Sequence, residues 1–198
     1  MASSQRTDAR NAIDLLMDDH KRVNKLFDDF EEADREDAAA VQELVETACI
    51  ELQIHSILEE EIFYPAVRGH IEGGNRTNDN LLNEAQAEHE SLDELIAKLQ
   101  EIEPDHPMYC AYFAVLSAYV KHHVVREETE LFANVSRMGL DLQQLGEDLR
   151  LRREELFAEM EAEDGEADTE FTSDDELESS AEDERDEQIL IDIPRTRH

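Results

Sequence analysis

The stretch that decides the fold is His55-Ser56-Ile57-Leu58-Glu59, near the middle of a long amphipathic segment, and it has an echo in His123-Val124-Val125-Arg126-Glu127. The first and last residues of each stretch are four positions apart. On an α-helix they therefore lie one turn apart on the same face. Each pair offers an imidazole and a carboxylate to one point in space.

The helical face that carries each pair is otherwise apolar. Its positions are Val41, Leu44, Ala48, Leu52, Ile62 and Ala66 in the first copy, and Phe113, Leu116, Val120 and Leu131 in the second. This three-and-four spacing predicts a stripe that faces a core. A carboxylate in a core is costly unless positive charge meets it. Two cores with the same unpaired carboxylate indicate a shared cation.

Similar stripes predict an all-α chain, in which only six Gly and four Pro interrupt 198 residues. The predicted helices span about residues 9–33, 38–68, 78–102, 108–138 and 141–160, with Pro65 expected to kink or stop the second and Gly139 to end the fourth. Four long helices with short connections favour an up-down-up-down four-helix bundle, here with a short fifth helix. Residues 161–198 hold 16 acidic residues against three Arg, which predicts a disordered acidic tail after a bundle domain of residues 1–160.

The charge of the chain limits its partners. Its 52 acidic and 18 basic residues give a net charge of −34, a field that should repel nucleic acid and anionic membranes. Adaptation to a salt-rich cytoplasm and an ordinary acidic protein with an acidic tail both remain open explanations. The tail has one apolar cluster, residues 189–193, which could bind a protein partner, although a chance patch or a dock on its own bundle is the favoured interpretation.

No apolar run long enough for a membrane span or a signal peptide is present, so we expect a cytoplasmic protein. Cys49 and Cys110 lack disulfide-like or metal-like spacing and are expected to be reduced core residues.

Each of the four long helices places one histidine in its apolar stripe: His20, His55, His89 and His123. Counting residues from the shared helix ends, at about 1.5 Å per residue, brings all four within about 6 Å of one level. Together with Glu59 and Glu127 they exceed what one tetrahedral zinc requires. They suit a pair of metal ions bridged by carboxylates, with iron favoured over manganese or zinc.

Four segments carry a resemblance to a known family: Asp19-His20-Lys21, His55…Glu59-Glu60 with Phe63-Tyr64-Pro65, Glu88-His89, and His122-His123…Glu127-Glu128. Over about residues 10–160 the chain resembles the hemerythrin-like, or HHE cation-binding, domains. The resemblance implies a non-heme di-iron centre of two iron ions in a four-helix bundle, and an oxo or hydroxo bridge is one option. His20, His55, His89 and His123 would be terminal ligands, and Glu59 and Glu127 the bridging carboxylates.

The chain departs from the oxygen-carrying hemerythrins at two positions. Those proteins have a His-x-x-x-His pair on the third helix, where this chain has Ala85, and their last carboxylate follows its histidine by five residues, whereas Glu127 follows His123 by four. The ligand set therefore looks more like that of the iron-sensing and repair-type members.

The favoured function is binding of dioxygen, nitric oxide or a related small oxidant for sensing, storage or stress response. One alternative is a di-iron enzyme, either a ferroxidase or a peroxide-consuming protein. Another is a regulator that responds to metal or redox state through a protein partner. His122 is expected to be a flanking polar residue, and Tyr112 and Tyr119 to fill the core.

Overall fold

A computed structural model of the chain describes residues 10–71 and 76–170, with residues 76 and 161–170 described by their backbone alone. The α-helices are α1 (Ala12–Glu32), α2 (Ala38–Leu58), α3 (Tyr64–Gly69), α4 (Arg76–Glu101), α5 (Tyr109–Arg126), α6 (Phe132–Val135) and α7 (Leu142–Glu170). Two π-helical turns, Glu59–Phe63 and Glu127–Leu131, join α2 to α3 and α5 to α6 without a break.

Four helical rods form the bundle: α1, α2 with α3, α4, and α5 with α6. Helix α1 packs against α2 and α4 against α5, while contacts of α1 with α5 and of α2 with α4 close the square. The predicted all-α four-helix bundle is therefore confirmed. No helix in the described ranges is long and apolar enough to cross a bilayer.

Local signals set the ends of these helices. Asn11 caps α1 by accepting the backbone N–H of Asp14, whose side chain accepts the Asn11 N–H in return, so α1 begins three residues later than predicted. Asp37 caps α2 in a similar way, by accepting the N–H of Ala40. Gly139 follows the fourth rod with φ 78°, a left-handed conformation that favours glycine.

The two π turns shift the phase of the stripes by one residue. The sequence predicted that Ile62 and Ala66 would follow Glu59 into the core, but Phe63 and Val67 are the buried residues. In each turn an N–H bonds to the carbonyl five residues back, as Tyr64 does to Glu59, and the wider turn delays the face by one position.

Pro65 neither stops nor breaks its rod, because α3 continues to Gly69. The equivalent position after the second π turn is Ala133, so the proline is not what causes the turn.

The core has two apolar clusters. The first contains Val23, Phe27, Phe30, Val45, Leu92, Ile96, Phe113 and Leu116 among others. The second contains Leu16, Ile54, Leu58, Phe63, Leu82, Leu131, Val135 and Leu149 among others. The histidine level lies between them along each rod, and this keeps that level away from water.

Helix α7 is longer than predicted. It was expected to end near Met160, the last residue of the bundle unit, but its backbone stays helical to Glu170. Residues 161–170 contain Ala and Glu and lack Pro, a composition that favours a helix over the predicted disorder. Residues 171–198, the rest of the predicted acidic tail with its apolar cluster, lie outside the described residues.

The start of α7 packs closely on the start of α1. A Cβ atom on Gly146 would lie 2.7 Å from the carbonyl oxygen of Arg10 and 2.9 Å from the backbone nitrogen of Ala12. Glycine is therefore needed for this approach. Leu145, Leu149 and Leu156 of the same helix are buried in the second apolar cluster.

Candidate metal centre

The six residues predicted as ligands meet at one level of the bundle. Their side chains form two groups, His20 with His55, Glu59 and Glu127, and Glu59 with His89 and His123; within each group the candidate ligand atoms lie within 4.8 Å of one another. None of the six is more than 4% exposed. Glu59 belongs to both groups, so the two positions adjoin.

The four imidazoles form two pairs whose Nε2 atoms face each other. In the first half of the centre the Nε2 atoms of His20 and His55 are 3.2 Å apart. In the second half those of His89 and His123 are 3.3 Å apart. Each pair thus directs two nitrogen lone pairs at one position.

The two glutamates connect the halves. Glu59 Oε2 lies 3.3 Å from His55 Nε2 and 3.4 Å from His89 Nε2. Glu127 Oε2 lies 3.4 Å from His20 Nε2 and 3.6 Å from His123 Nε2. Each carboxylate therefore touches one histidine of either half, as a bridging carboxylate would.

A carboxylate stands behind each imidazole and fixes its tautomer. The Nδ1 contacts are His20 to Glu128 at 2.9 Å, His55 to Asp19 at 3.5 Å, His89 to Glu60 at 2.9 Å and His123 to Glu88 at 2.8 Å. An ionised carboxylate can only accept, so Nδ1 carries the proton and Nε2 is left free to bind a cation. Glu60 and Glu128 thus act as acceptors behind the ligands.

Arginines hold two of these supporting carboxylates. Asp19 is paired with Arg22 at 3.1 Å and with Arg153 of α7, and Glu88 is paired with Arg126 at 2.9 Å. Burial by itself would raise the pKa of Asp19, but the His55 hydrogen bond and the arginines lower it. Asp19 therefore stays ionised behind its histidine.

Tyr64 is a site residue that sequence reasoning missed. Its buried hydroxyl lies 3.0 Å from Glu59 Oε2 and 3.1 Å from Glu127 Oε1, so its single proton can be donated to either oxygen, and its ring stacks on His89 with centroids 5.8 Å apart. Tyr112 and Tyr119 were predicted to fill the core: Tyr112 packs partly buried on the first apolar cluster, but Tyr119 is 44% exposed, so the prediction for Tyr119 was wrong. Tyr64 reaches the site because the π turn rotates it inward.

In the metal-free site His55 is the group that takes up a proton, and Glu59 beside it stays ionised. Burial alone would lower the pKa of His55, but Glu59 beside it raises it well above its usual value. Burial alone would raise the pKa of Glu59, but His55 and His89 hold it well below its usual range. The imidazolium form of His55 therefore compensates the buried charge of Glu59 when no cation is bound.

The donor set fits metal cations. Two buried oxygens, Glu59 Oε1 and Glu127 Oε2, make no hydrogen bond to any described residue. Ligand atoms about 2.1 Å from one ion lie roughly 3.0–3.4 Å apart, close to the separations of the Nε2 and carboxylate atoms here. A cation in each half could be coordinated by these two oxygens and would take the place of protons on the imidazole nitrogens.

The other described histidines and the two cysteines are not part of the centre. His122 is exposed, as predicted for a flanking polar residue, and so are His70 and His106, while His198 lies outside the described residues. Cys49 and Cys110 are free thiols, and burial raises the pKa of Cys49 to about 12. Cys49 is therefore a core residue, as predicted.

Residues 11–135 match the hemerythrin HHE cation binding domain, which covers more than half of the chain. The chain belongs to this family. The resemblance inferred from the histidine and glutamate motifs is confirmed, although the match ends at the last residue of α6, and α7 lies outside it.

Two individual proteins are similar to this HHE domain chain. A curated relative, a DNA nickase from Nostoc sp., is 29% identical over 125 residues, which are 63% of this chain; the chain spans 33% of that protein. A crystal structure of an HHE cation binding domain-containing protein from Mycobacterium kansasii shares the fold, with a TM-score of 0.62 and 23% identity over 74% of this chain and 87% of the other.

Membership in the HHE family makes this a cation-binding bundle, and iron is the metal typical of the family. The buried histidine and glutamate cluster is the place where a cation fits.

Proposed function

We propose that this HHE domain holds two non-heme iron ions and binds dioxygen, nitric oxide or a related small oxidant for sensing, storage or stress response. The observation that supports it is the sharing of ligands: Glu59 contacts a histidine of each half, Glu127 does the same, and each has one buried oxygen that makes no hydrogen bond to a described residue. One tetrahedral zinc would leave part of this set unused.

The chain's own residues would divide the work at such a centre. His20 and His55 would hold one ion and His89 and His123 the other, while Glu59 and Glu127 bridge them. The carboxylates at the Nδ1 atoms keep the imidazoles oriented. The apolar clusters on both sides exclude water. Iron, when bound, supplies open positions and a change of redox state.

Metal analysis of anaerobically purified protein, followed by oxygen titration, tests this function. We expect about two iron ions per chain, as the two ligand groups require, and a reversible oxygenated spectrum. Alanine at any of His20, His55, His89 or His123 should lower the metal content, while His122→Ala should not. A single zinc ion that survives all four substitutions would refute the proposal.

A di-iron enzyme is the second candidate, and Tyr64 is the observation that favours it. A buried hydroxyl within hydrogen-bond distance of Glu59 and of Glu127, which can donate its one proton to either, is a proton donor placed inside the site. An enzyme would turn over peroxide or ferrous iron catalytically and would lose rate in Tyr64→Phe at unchanged iron content. A carrier or sensor would show the stable oxygenated spectrum and no turnover.

Neither nucleic acid nor a membrane is proposed as a partner, because the net charge of −34 opposes binding to phosphates. The nickase activity of the Nostoc relative is left with that protein, of which this chain spans one third. We propose a cytoplasmic location, which the free thiol of Cys49 suits. A protein partner for the acidic tail remains a proposal without a described contact.

A further inference from the structure

The two halves of the centre repeat each other residue by residue. Helix α1 corresponds to α4 at an offset of 69, and α2 with α3 to α5 with α6 at an offset of 68. The contacts repeat as well: Asp19 supports His55 as Glu88 supports His123, and Phe132 stacks on His20 as Tyr64 stacks on His89. Where two equivalent positions carry different residues, the comparison therefore shows how the surroundings of the two halves differ.

Two such differences lie directly beside the ligands. Four residues before its histidine, the first half has Leu16, which is fully buried, and the second half has Ala85. Three residues after its histidine, the first half has buried Leu58 and the second half has Arg126, whose side chain is 29% exposed. The first half is filled by two leucines, and the second is not.

A small cavity occupies the space that the second half leaves open. About 10 Å³ there is accessible to the centre of a water-sized sphere. His123 and Glu127 line its inner side, Ala85 and Leu131 form an apolar wall, and Arg126 lies toward the solvent. This volume is about the minimum for one water molecule, and hence suits a diatomic gas and little more.

The fifth helix closes the corresponding face of the first half. Its Gly146 packs against the backbone of Arg10 and Ala12, and its Arg153 pairs with Asp19 directly behind His55. This helix lies outside residues 11–135, the part of the chain that matches the family domain.

We propose that a small ligand reaches the metal centre through the Ala85 cavity, and so arrives at the His89 and His123 half, while Leu16 and α7 seal the other half. Ala85 sets the size limit. Arg126 at the mouth is already paired with Glu84 and Glu88, which leaves this group of three side chains with one net negative charge. The route therefore favours a neutral diatomic over an anion. This inference rests on the proposed di-iron function.

The two halves supply a matched pair of variants for the test. Ala85→Leu copies Leu16 into the second half and fills the cavity, and Leu16→Ala opens the equivalent space under α7. Ala85→Val is a smaller filling in case the leucine does not fold. Iron-loaded full-length proteins would be mixed with nitric oxide in a stopped-flow instrument, with iron content and melting temperature measured on the same samples.

We expect Ala85→Leu to slow nitric oxide binding by about tenfold or more at unchanged iron content, and Ala85→Val to slow it less, because both occupy the route. Leu16→Ala should bind at the wild-type rate, because α7 still covers it. Azide should bind more slowly than nitric oxide to wild type.

Two results would overturn the inference: wild-type rates in folded, iron-loaded Ala85→Leu or Ala85→Val, or faster binding in Leu16→Ala. Wild-type protein that holds no iron pair, or that binds nitric oxide nowhere, would instead refute the proposed function itself.

Discussion

Removal of the metal should reverse the way in which the stability of the bundle depends on pH. In the metal-free site, burial alone would lower the pKa of His123, but Glu127 and Glu88 raise it from 6.5 to about 10, and the pKa values of His55 and His89 are raised as well. A group whose folded pKa lies above its unfolded value stabilises the fold fully below the unfolded pKa. That stabilisation is lost as pH rises through the folded pKa.

The size of the effect follows from His123. At about 1.4 kcal/mol per tenfold change in proton affinity, the interval between 6.5 and about 10 corresponds to an upper limit of roughly 5 kcal/mol. The contribution of Glu59 to stability depends on pH in the opposite direction, because its pKa is lowered in the folded state. Its contribution is complete above its usual value of 4.5 and is lost as pH falls through the folded pKa. The metal-free bundle should therefore be most stable in mildly acidic solution.

The metal-loaded bundle should behave differently, because a cation binds only neutral imidazoles and ionised carboxylates. Protons compete with it, so metal stabilisation is lost as pH falls and grows as pH rises. Melting curves of chelator-treated and iron-loaded protein, recorded between about pH 6.5 and about pH 9, should diverge steadily. Metal-free His123→Ala should show a shallower pH slope than metal-free His122→Ala. A metal-free protein whose melting temperature rises with pH in parallel with the loaded form would refute this reasoning.

Three further substitutions test separate parts of the structure. Tyr64→Phe should lower the free energy of unfolding by about 1–3 kcal/mol in urea melts, because the two buried carboxylate oxygens that share its one proton lose this donor, and Tyr119→Phe should change little. Gly146→Ala should cost about 1–3 kcal/mol because its Cβ meets backbone, whereas Gly69→Ala, with no atom within 4 Å, should be nearly neutral in the same assay. Asp19→Asn should weaken iron binding in chelator competition by about 10–100-fold, and an affinity equal to wild type would contradict its orienting role.

The level of the metal centre could be predicted from the sequence because helix geometry is regular. Four histidines in four apolar stripes, at comparable distances from the helix ends, must share a layer if the rods are straight and the connections short. The paired glutamates followed from the same periodicity. The carboxylates that bond to the imidazole Nδ1 atoms were harder to predict. Asp19 and Glu88 each lie one position before a site histidine, yet each contacts the histidine of a neighbouring helix. The periodicity of a single helix does not show which neighbour that is.

The π turns were missed, although the sequence carries a signal for them. The buried residues after each histidine follow at steps of four: His55, Glu59, Phe63, Val67 in the first copy and His123, Glu127, Leu131, Val135 in the second. On a regular α-helix three successive steps of four rotate the face by about 120°. A face that stays buried over twelve residues at this spacing therefore requires a wider turn. The sequence prediction assumed the alternating three- and four-residue steps of a regular α-helix, and it therefore placed Ile62 in the core instead of Phe63.

The same duplication explains why sequence reasoning described a symmetric site where the structure has an asymmetric one. The candidate ligands and their supporting carboxylates are chemically equivalent in both halves, so motif spacing treats the halves alike. The halves differ in the residues that pack around these groups. Leu16 in the first half corresponds to Ala85 in the second, and Leu58 corresponds to Arg126. Phe132 corresponds to Tyr64, which carries a hydroxyl that phenylalanine lacks. These residues set which half is filled and which is open, and Arg153 of α7 adds to the cover of the filled half. In a repeated bundle of this kind, we infer that the six candidate ligands would hold the metal and that the differences between equivalent neighbours would set the side from which a small molecule reaches it.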